Sequence, residues 1–255
     1  MKKISKILAA NRSEIAIRIF RAAEESGIKT AAIYSKEDRF AIHRFKTDES
    51  YLVGEGKGPI QAYLDIDSII KIAKDAKVDA IHPGYGFLSE SPELAEQCEK
   101  NDITFIGPSK EILKRFGNKT EAKKVAEEAK VGTVPSVLVT KESLKSVEKE
   151  VEKIGYPVIV KASWGGGGRG MRVVRSSNEL IDQITTAQSE SLKAFGKDEV
   201  FIEKFLEDAA HIEVQILGDR HGNILHLFER DCSLQRRHQK IIERAPAHFL
   251  ENKTR

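Results

Sequence analysis

The stretch Lys161-Ala-Ser-Trp-Gly-Gly-Gly-Gly-Arg-Gly-Met171 places five glycines within six residues, between the apolar runs Pro157–Val160 and Met171–Val174. Glycines add no packing surface and lose much backbone entropy on folding, so this run is a poor core segment. Between two strands it predicts a loop whose amide groups can close over a phosphate chain. Lys161, at the end of the first strand, would add a positive charge for the same anion. A plain flexible hairpin is the alternative, although hairpin turns need only about two to five residues.

The composition is that of a soluble globular protein. Of 255 residues, 40% are hydrophobic and 32% are charged, and no apolar run approaches the roughly 20 residues of a membrane helix. The net charge of +3 is too small to indicate a nucleic-acid or membrane partner. Cys98 and Cys232 lack CxxC spacing and fit a reducing compartment, and no signal-peptide core follows the basic N-terminus. These features predict a cytoplasmic protein.

The first part of the chain alternates between short apolar runs and amphipathic helix patterns. The predicted strands are Ile7–Ala10, Thr30–Tyr34, Ala80–His82 and Thr104–Ile106, and the predicted helices are Ser13–Ser26, Ile66–Lys77 and Pro92–Lys100. This alternation predicts a parallel sheet with helices on both faces, which is a Rossmann-like arrangement. The first strand-to-helix turn, Asn11–Ser13, contains no glycine, so a dinucleotide-binding fingerprint is excluded.

A smaller α+β unit is predicted after the lysine-rich helical stretch Lys110–Lys130. Its predicted strands are Ser136–Val139, Pro157–Lys161, Met171–Val174 and Glu199–Ile202, and its predicted helices are Leu144–Ile154 and Glu179–Ala194. A final hairpin is expected to pair His211–Leu217 with Ile224–Phe228. That hairpin leaves one sheet face with no following sequence to cover it, so we expect an incomplete lobe.

The class of nucleotide site follows from which motifs are present. The sequence contains no GxxxxGK[ST], which excludes a P-loop, and neither HRD nor DFG, which excludes a protein kinase. A lysine that ends a strand, then a glycine-rich loop, then Glu203-Lys-Phe-Leu206 resembles the ATP-grasp arrangement. In that family two α+β lobes close on ATP.

Four segments narrow the resemblance. Ala10–Ala16, His82–Ser89, Lys161–Met171 and Glu229–Lys240 together are similar to biotin carboxylases, and the similarity runs from Lys3 to Leu250. Within that family, Ala32–Asp38, His43–Lys46, Glu49–Pro59 and His226–Arg230 are most similar to the pyruvate carboxylase branch.

The resemblance implies an α/β fold, with a Rossmann-like N-terminal parallel sheet followed by an ATP-grasp domain. We expect the Rossmann-like domain over residues 1–112 and a helical linker over 113–134. The ATP-grasp domain would consist of an α+β lid lobe, 135–203, and a truncated C-terminal lobe, 204–255.

The resemblance also assigns site residues. Lys119 and Lys161 would contact the nucleotide phosphates, and the amides of Gly167 and Gly168 would cap them. The adenine site would be lined by Glu203, Lys204, Phe205 and Leu206. The ribose and phosphate region would be bordered by His211, Gln235 and His238. Lys240 would hold bicarbonate and, with His238, act in catalysis. The run Arg236–Lys240 concentrates positive charge where bicarbonate and the γ-phosphate must approach each other.

The implied reaction is the ATP-dependent carboxylation of biotin by bicarbonate through carboxyphosphate. The implied partners are a biotin carrier domain and a carboxyltransferase domain, which would convert pyruvate to oxaloacetate. Arg21 and Glu25 match positions that pair across dimers in the family, which predicts a homo-oligomer. The family's acidic ligands for Mg²⁺ or Mn²⁺, its catalytic arginine and its base lie beyond the last hairpin. We therefore expect no metal ligands in this chain, and little nucleotide binding or turnover by the chain alone.

Simpler interpretations exist for several of these residues. Lys119 lies among Lys114, Lys123 and Lys124, where a lysine is usually on a solvated helix face. A half-buried imidazole is the ordinary interpretation of His211 in an alternating strand. Ser13 stands where the family has glycine, and we expect a helix N-cap to tolerate it.

Three other functions are considered for the whole chain. The nearest is the biotin carboxylase subunit of an acetyl-CoA carboxylase, which has the same site and another acceptor. A carbamoyl-phosphate-synthetase-like ATP-grasp enzyme is more distant, and Gln235–Lys240 argues against it. A catalytically inactive assembly module is the alternative outside the enzymes.

Overall fold

The computed structural model describes residues 3–140, 146–164, 171–219, 221–236, 239–251 and 253–254; of Phe195 and Gln239 it describes the backbone alone. The chain divides into two compact units, Met1–Gly117 and Asn118–Arg255, which we call unit 1 and unit 2. The finer division of residues 113–255 into linker, lid lobe and second lobe stays a prediction. Within the described residues, no helix combines the length and the apolar character needed to cross a membrane.

Unit 1 is built on a parallel sheet. Its strands are β1 Lys6–Ala9, β2 Lys29–Tyr34, β3 Glu49–Leu52, β4 Ala80–His82 and β5 Thr104–Phe105, in the spatial order β3-β2-β1-β4-β5. Its helices are α1 Ser13–Glu25, α2 Pro59–Tyr63, α3 Ile66–Asp75, α4 Pro92–Lys100 and α5 Lys110–Gly117, and Ile42–Phe45 forms a 3-10 turn. All neighbouring strands are parallel, and the strand order is that of a Rossmann-like sheet. The predicted parallel sheet is therefore confirmed.

Both faces of this sheet are buried. Leu8, Ile33 and Ile81 belong to one cluster of buried side chains, whereas Ile7 and Ala32 belong to another. Successive residues of a strand point to opposite faces, so each central strand supplies both clusters. This is why β1 and β2 read as continuous apolar runs rather than as alternating ones.

Among the strands and α-helices of unit 1, two were missed by the sequence prediction. β3 is the edge strand of the sheet, and its residues Glu49–Leu52 are only partly buried or exposed. An edge strand of this kind carries no apolar run that would reveal it. α2 has only five residues, which is too short for helical periodicity to be recognised.

Ser13 does not cap α1, so the expectation that a helix cap tolerates it was wrong. The N-cap residue is Arg12, no side-chain cap hydrogen bond is formed, and Ser13 is the first helical residue. Its φ of 58° lies in the left-handed region, which costs a side-chain-bearing residue roughly 1–2 kcal/mol. Glycine adopts this conformation without that cost, which explains why the related motif carries glycine here.

The described residues of unit 2 form two antiparallel sheets. β6 Ser136–Val139, β7 Val158–Ala162, β8 Arg172–Val174 and β9 Val200–Lys204 form the first, in the order β6-β9-β7-β8. The second is formed by β10 Ile212–Gly218, β11 Ile224–Arg236 and β12 Gln239–Arg244. The helices are α6 Lys119–Glu128, α7 Val147–Ile154 and α8 Ser177–Phe195. Side chains of α7 and α8, such as Val151, Leu180 and Ile184, pack on the first sheet.

Two predicted segments of this region differ from the structure. The helical stretch Lys110–Lys130 is two helices, because Asn118 interrupts it and caps α6. The strand predicted to end at Phe228 continues to Arg236 and is followed by β12, which was not predicted. These strands are rich in charged residues, which pair across the sheet instead of forming an apolar run.

Candidate active site

Lys161 and Glu203 form an ion pair on neighbouring strands. β7 carries Lys161 and β9 carries Glu203, and the Cα partner of Glu203 is Ile159, two residues before Lys161. Residues two apart on a strand share a face, so Lys161 and Glu203 are diagonal neighbours. Lys161 Nζ lies 2.5 Å from Glu203 Oε2. The predicted phosphate-binding lysine and the predicted adenine-site glutamate are therefore in direct contact.

Lys123 completes this cluster, and the sequence analysis missed it. Its Nζ lies 2.5 Å from Glu203 Oε1 and donates a hydrogen bond to the carbonyl oxygen of Val134 at 2.7 Å. Lys123 follows Lys119 by four residues, and this spacing places both on one face of α6. That spacing was the available signal, but it was interpreted as a solvated lysine face.

Glu203 is ionised although only 8% of the residue is exposed. Burial raises the pKa of its carboxyl group, but hydrogen bonds from Lys123 and Lys161, with their charges, outweigh burial and lower the Glu203 pKa. Two ammonium groups around one carboxylate leave the cluster with a net charge of +1 (2 − 1). A half-buried site of this sign favours the approach of a further anion.

The start of α6 lies beside the end of β7. Asn118 Oδ1 accepts hydrogen bonds from the backbone amides of Thr120 at 2.8 Å and Glu121 at 3.1 Å. The backbone amide of Lys119, the first residue of α6, donates to the carbonyl oxygen of Ser163 at 3.2 Å. A helix N-terminus favours negative charge. Lys119 is thus held next to the strand end that carries Lys161.

The segment predicted to line the adenine site follows Glu203 directly. Lys204 Nζ donates to the carbonyl oxygens of Gly155 and Tyr156, each at 3.0 Å, so its side chain is bound to the loop before β7. The amide of Phe205 donates to the carbonyl oxygen of Pro157 at 3.1 Å. Leu206 is 54% exposed. The structure therefore fixes the first two residues of this segment and leaves an apolar side chain at the surface.

A second cluster in unit 2 contains the other predicted residues. His211 Nδ1 lies 3.2 Å from Gln235 Nε2, and the His211 amide donates to Ser233 Oγ at 3.0 Å. Gln235 and Lys240 are Cα partners across β11 and β12. The fold thus brings together three predicted residues that are apart in the sequence, His211, Gln235 and Lys240.

Glu213 links this cluster and was also missed. Its carboxylate accepts hydrogen bonds from Lys240 Nζ and from Arg230, and Arg230 also binds Glu243 at 2.6 Å. Burial opposes ionisation of Glu213, but Lys240 and Arg230 lower its pKa, and the hydrogen bond to Glu213 raises the pKa of Lys240. Glu213 lies two residues after His211 in an alternating strand, and that spacing was the available signal.

The described residues provide one group of three that could hold a metal ion, formed by Glu213, Cys232 and Glu243. The group does not fit Mg²⁺, which requires hard oxygen ligands in octahedral geometry. Glu213 and Glu243 are already bound by cationic side chains. Cys232 offers sulfur, and burial raises the pKa of its thiol.

Three predicted residues lie outside the described part of the chain. They are Gly167, Gly168 and His238. Their roles stay predictions.

Known families and proteins are similar to this chain over both of its units. Residues 3–113 match the family described as "Biotin carboxylase, N-terminal domain", and residues 118–255 match "Carbamoyl-phosphate synthase L chain, ATP binding domain". The pyruvate carboxylase of Bacillus subtilis (strain 168) is 57% identical over 254 residues, which is 100% of this chain and 22% of the relative. The chain thus spans 22% of the length of that relative.

Solved structures are similar over nearly the whole chain. Pyruvate carboxylase of Rhizobium etli with the allosteric activator acetyl coenzyme-A is 56% identical, with a TM-score of 0.91 over 98% of this chain and 22% of that one. The biotin carboxylase domain of 2-oxoglutarate carboxylase from Hydrogenobacter thermophilus is 43% identical, with a TM-score of 0.93 over 99% of this chain and 55% of that one. That structure is a dimer in complex with MgADP, ADP and bicarbonate.

Proposed function

This chain belongs to the biotin carboxylase family, and from this membership we propose that it supplies the ATP- and bicarbonate-binding region of a carboxylase that acts on pyruvate. The single observation that supports this best is the cluster of Lys161, Glu203 and Lys123. It places a net positive charge beside the strand that leads into the glycine-rich stretch. A nucleotide triphosphate is the anion that such a loop and lysine would bind together.

Lys161 and Lys119 would bind the phosphate chain. Lys161 belongs to the cluster of net charge +1, and Lys119 is the first residue of α6, the end of the helix dipole that favours negative charge. Glu203 orients Lys161 instead of leaving it free in solvent. The backbone of the segment after Glu203 would read the adenine edge, because the Lys204 side chain is held elsewhere.

Lys240 would bind bicarbonate. Its ammonium group is held by Glu213, which is itself held by Arg230. The resulting orientation is set before substrate arrives, which is how fixed charges stabilise a reacting anion. Gln235 and His211 border the same place.

The proposed reaction transfers the γ-phosphoryl group of ATP to an oxygen of bicarbonate, which gives ADP and carboxyphosphate. Carboxyphosphate breaks its C–O bond to give CO₂ and phosphate. A ureido nitrogen of biotin, delivered on a carrier domain, attacks CO₂ and gives its proton to the phosphate released in the previous step. A carboxyltransferase domain then moves the carboxyl group to pyruvate, which gives oxaloacetate.

The acceptor and the partners are proposed from the relatives. The similarity to pyruvate carboxylases covers the whole chain, at 57% identity for the Bacillus subtilis enzyme, and this supports pyruvate as the acceptor. Arg21 and Glu25 are both exposed on α1, as pairing across a homo-oligomer would require.

We propose the cytoplasm as the compartment. Cys98 and Cys232 are both free and buried. Free cysteines are usual where the compartment is reducing.

A chimera tests the proposed function. This chain replaces the matched residues of the Bacillus subtilis pyruvate carboxylase, and oxaloacetate formation from pyruvate, bicarbonate and ATP is measured. We expect activity that is lost with Lys161→Met and kept with Lys124→Met, because Lys124 is exposed and pairs only with Glu121 among the ion pairs of the described residues. A chimera that folds and carries biotin but forms no oxaloacetate would overturn the proposal.

A further inference from the structure

Lys123 is set apart from its neighbour Lys124. The Lys123 side chain is 19% exposed and contacts Val134 and Glu203, with its ammonium 5.8 Å from the ring centroid of Phe201. The Lys124 side chain is 59% exposed and pairs with Glu121 of the same helix at 2.6 Å. The two lysines have the same chemistry and adjacent positions, and they differ in the burial of their side chains and in the residues that they contact.

Glu203 divides its two oxygens between two lysines. Oε1 binds Lys123 and Oε2 binds Lys161, each at 2.5 Å. The Glu203 side chain is 10% exposed, so its orientation is set by these partners and by the packing of β9. Burial opposes the charge of this carboxylate, and the two lysines together offset the loss of water.

We propose that Lys123 is a positioning residue of the nucleotide site, which occupies one oxygen of Glu203 so that Lys161 stays available to the phosphates. This inference rests on the proposed function, because it needs phosphates to bind Lys161. Lys123 is placed behind Glu203, and it acts on the ligand through Glu203 and Lys161.

The proposal follows from the charge of the cluster. With Lys123 present, the net charge is +1 (2 − 1), and Glu203 engages Lys161 through one oxygen. Without Lys123, the net charge is zero (1 − 1), and both oxygens are free to draw Lys161 toward β9. Attraction for a polyphosphate falls in that case. The backbone after Glu203, which would read the adenine edge, is held by contacts of Lys204 and Phe205 in which Lys123 takes no part.

Titration of the chimera that carries this chain in the Bacillus subtilis enzyme with ATP and with adenosine tests the inference. We expect Lys123→Met to weaken ATP binding about tenfold and to change adenosine binding by less than about twofold. Lys123→Arg keeps the charge and should restore ATP affinity. Lys124→Met is the matched control and should leave both affinities unchanged. If Lys123→Met does not fold, Lys123→Gln removes the charge and keeps a hydrogen-bond donor.

The outcomes separate this inference from the function on which it rests. Equal losses for ATP and adenosine would show that Lys123 supports only the fold, and no loss would show that it has no role; either result overturns the inference. Failure of both Lys123→Met and Lys123→Gln to fold overturns it as well. If the unaltered chimera binds ATP, the proposed function survives all three results. If the unaltered chimera binds no ATP, both proposals fail.

Discussion

At the scale of single residues, two carboxylates organise the cations that the sequence analysis selected. Glu203 lies between Lys123 and Lys161, and Glu213 lies between Lys240 and Arg230. Lys161 and Lys240 were predictable because the family motifs contain them. The roles of Lys123, Glu213 and Arg230 were not predicted, because the spacing of Lys123 and Glu213 shows a shared face but does not name the distant residue with which each pairs.

The ionisation of Glu203 makes a prediction about stability and pH. The pKa of its carboxyl group is lowered in the folded chain from 4.5. The contribution of this carboxylate to the free energy of unfolding is therefore fully present above pH 4.5 and is lost as pH falls through the folded pKa. We expect Glu203→Gln to lower the free energy of unfolding by about 2 kcal/mol at pH 7. Urea unfolding of both chains should show this difference shrinking below pH 4.5. If the difference in the free energy of unfolding stays constant down to about pH 3, the charge of Glu203 does not stabilise the fold.

Ser13 carries a second prediction at this scale. Its φ of 58° favours glycine, so Ser13→Gly should raise the free energy of unfolding by about 1 kcal/mol. Ser13→Ala is the control, because alanine also has a Cβ atom and should give no gain. Urea unfolding measures both variants. Equal stability of Ser13→Gly and Ser13→Ala would contradict a left-handed conformation at this position.

At the scale of elements, the sequence predicted best the segments with a clear apolar pattern. The central strands β1, β2 and β4 are buried and apolar, and their predicted positions agree with the structure to within about one residue. β12 and the second half of β11 were missed because charged side chains fill them. Their regularity comes from cross-strand pairing, and a pattern of single residues does not reveal it.

The break between α5 and α6 leads to a prediction for an element. Asn118 caps α6 through two backbone amides, so Asn118→Ala should lower the free energy of unfolding by about 1 kcal/mol. Asn118→Ser keeps a capping oxygen, so its loss in the free energy of unfolding should be less than half of the loss in Asn118→Ala. Because the cap also holds the start of α6 beside Ser163, ATP affinity should fall with Asn118→Ala. Stability equal to that of the unaltered chain would argue against the cap.

At the scale of the whole molecule, two units carry two family signatures. The first matched family ends at residue 113 and the second begins at residue 118. The chain boundary between the two structural units falls between Gly117 and Asn118. The parallel sheet of unit 1 and the antiparallel sheets of unit 2 agree with the predicted fold class. The charged clusters described above lie within unit 2, so the account of nucleotide binding depends on unit 2.

The most direct test of that account is calorimetric titration of ATP into the chimera that carries this chain in place of the matched residues of the Bacillus subtilis enzyme. We predict one binding site in this region with a dissociation constant below about 1 mM, weakened at least about tenfold by Lys161→Met. The chimera with Lys124→Met should bind ATP as the unaltered chimera does. Absence of binding by the unaltered chimera, or unchanged affinity with Lys161→Met, would contradict the claim that the Lys161–Glu203 cluster is the phosphate site.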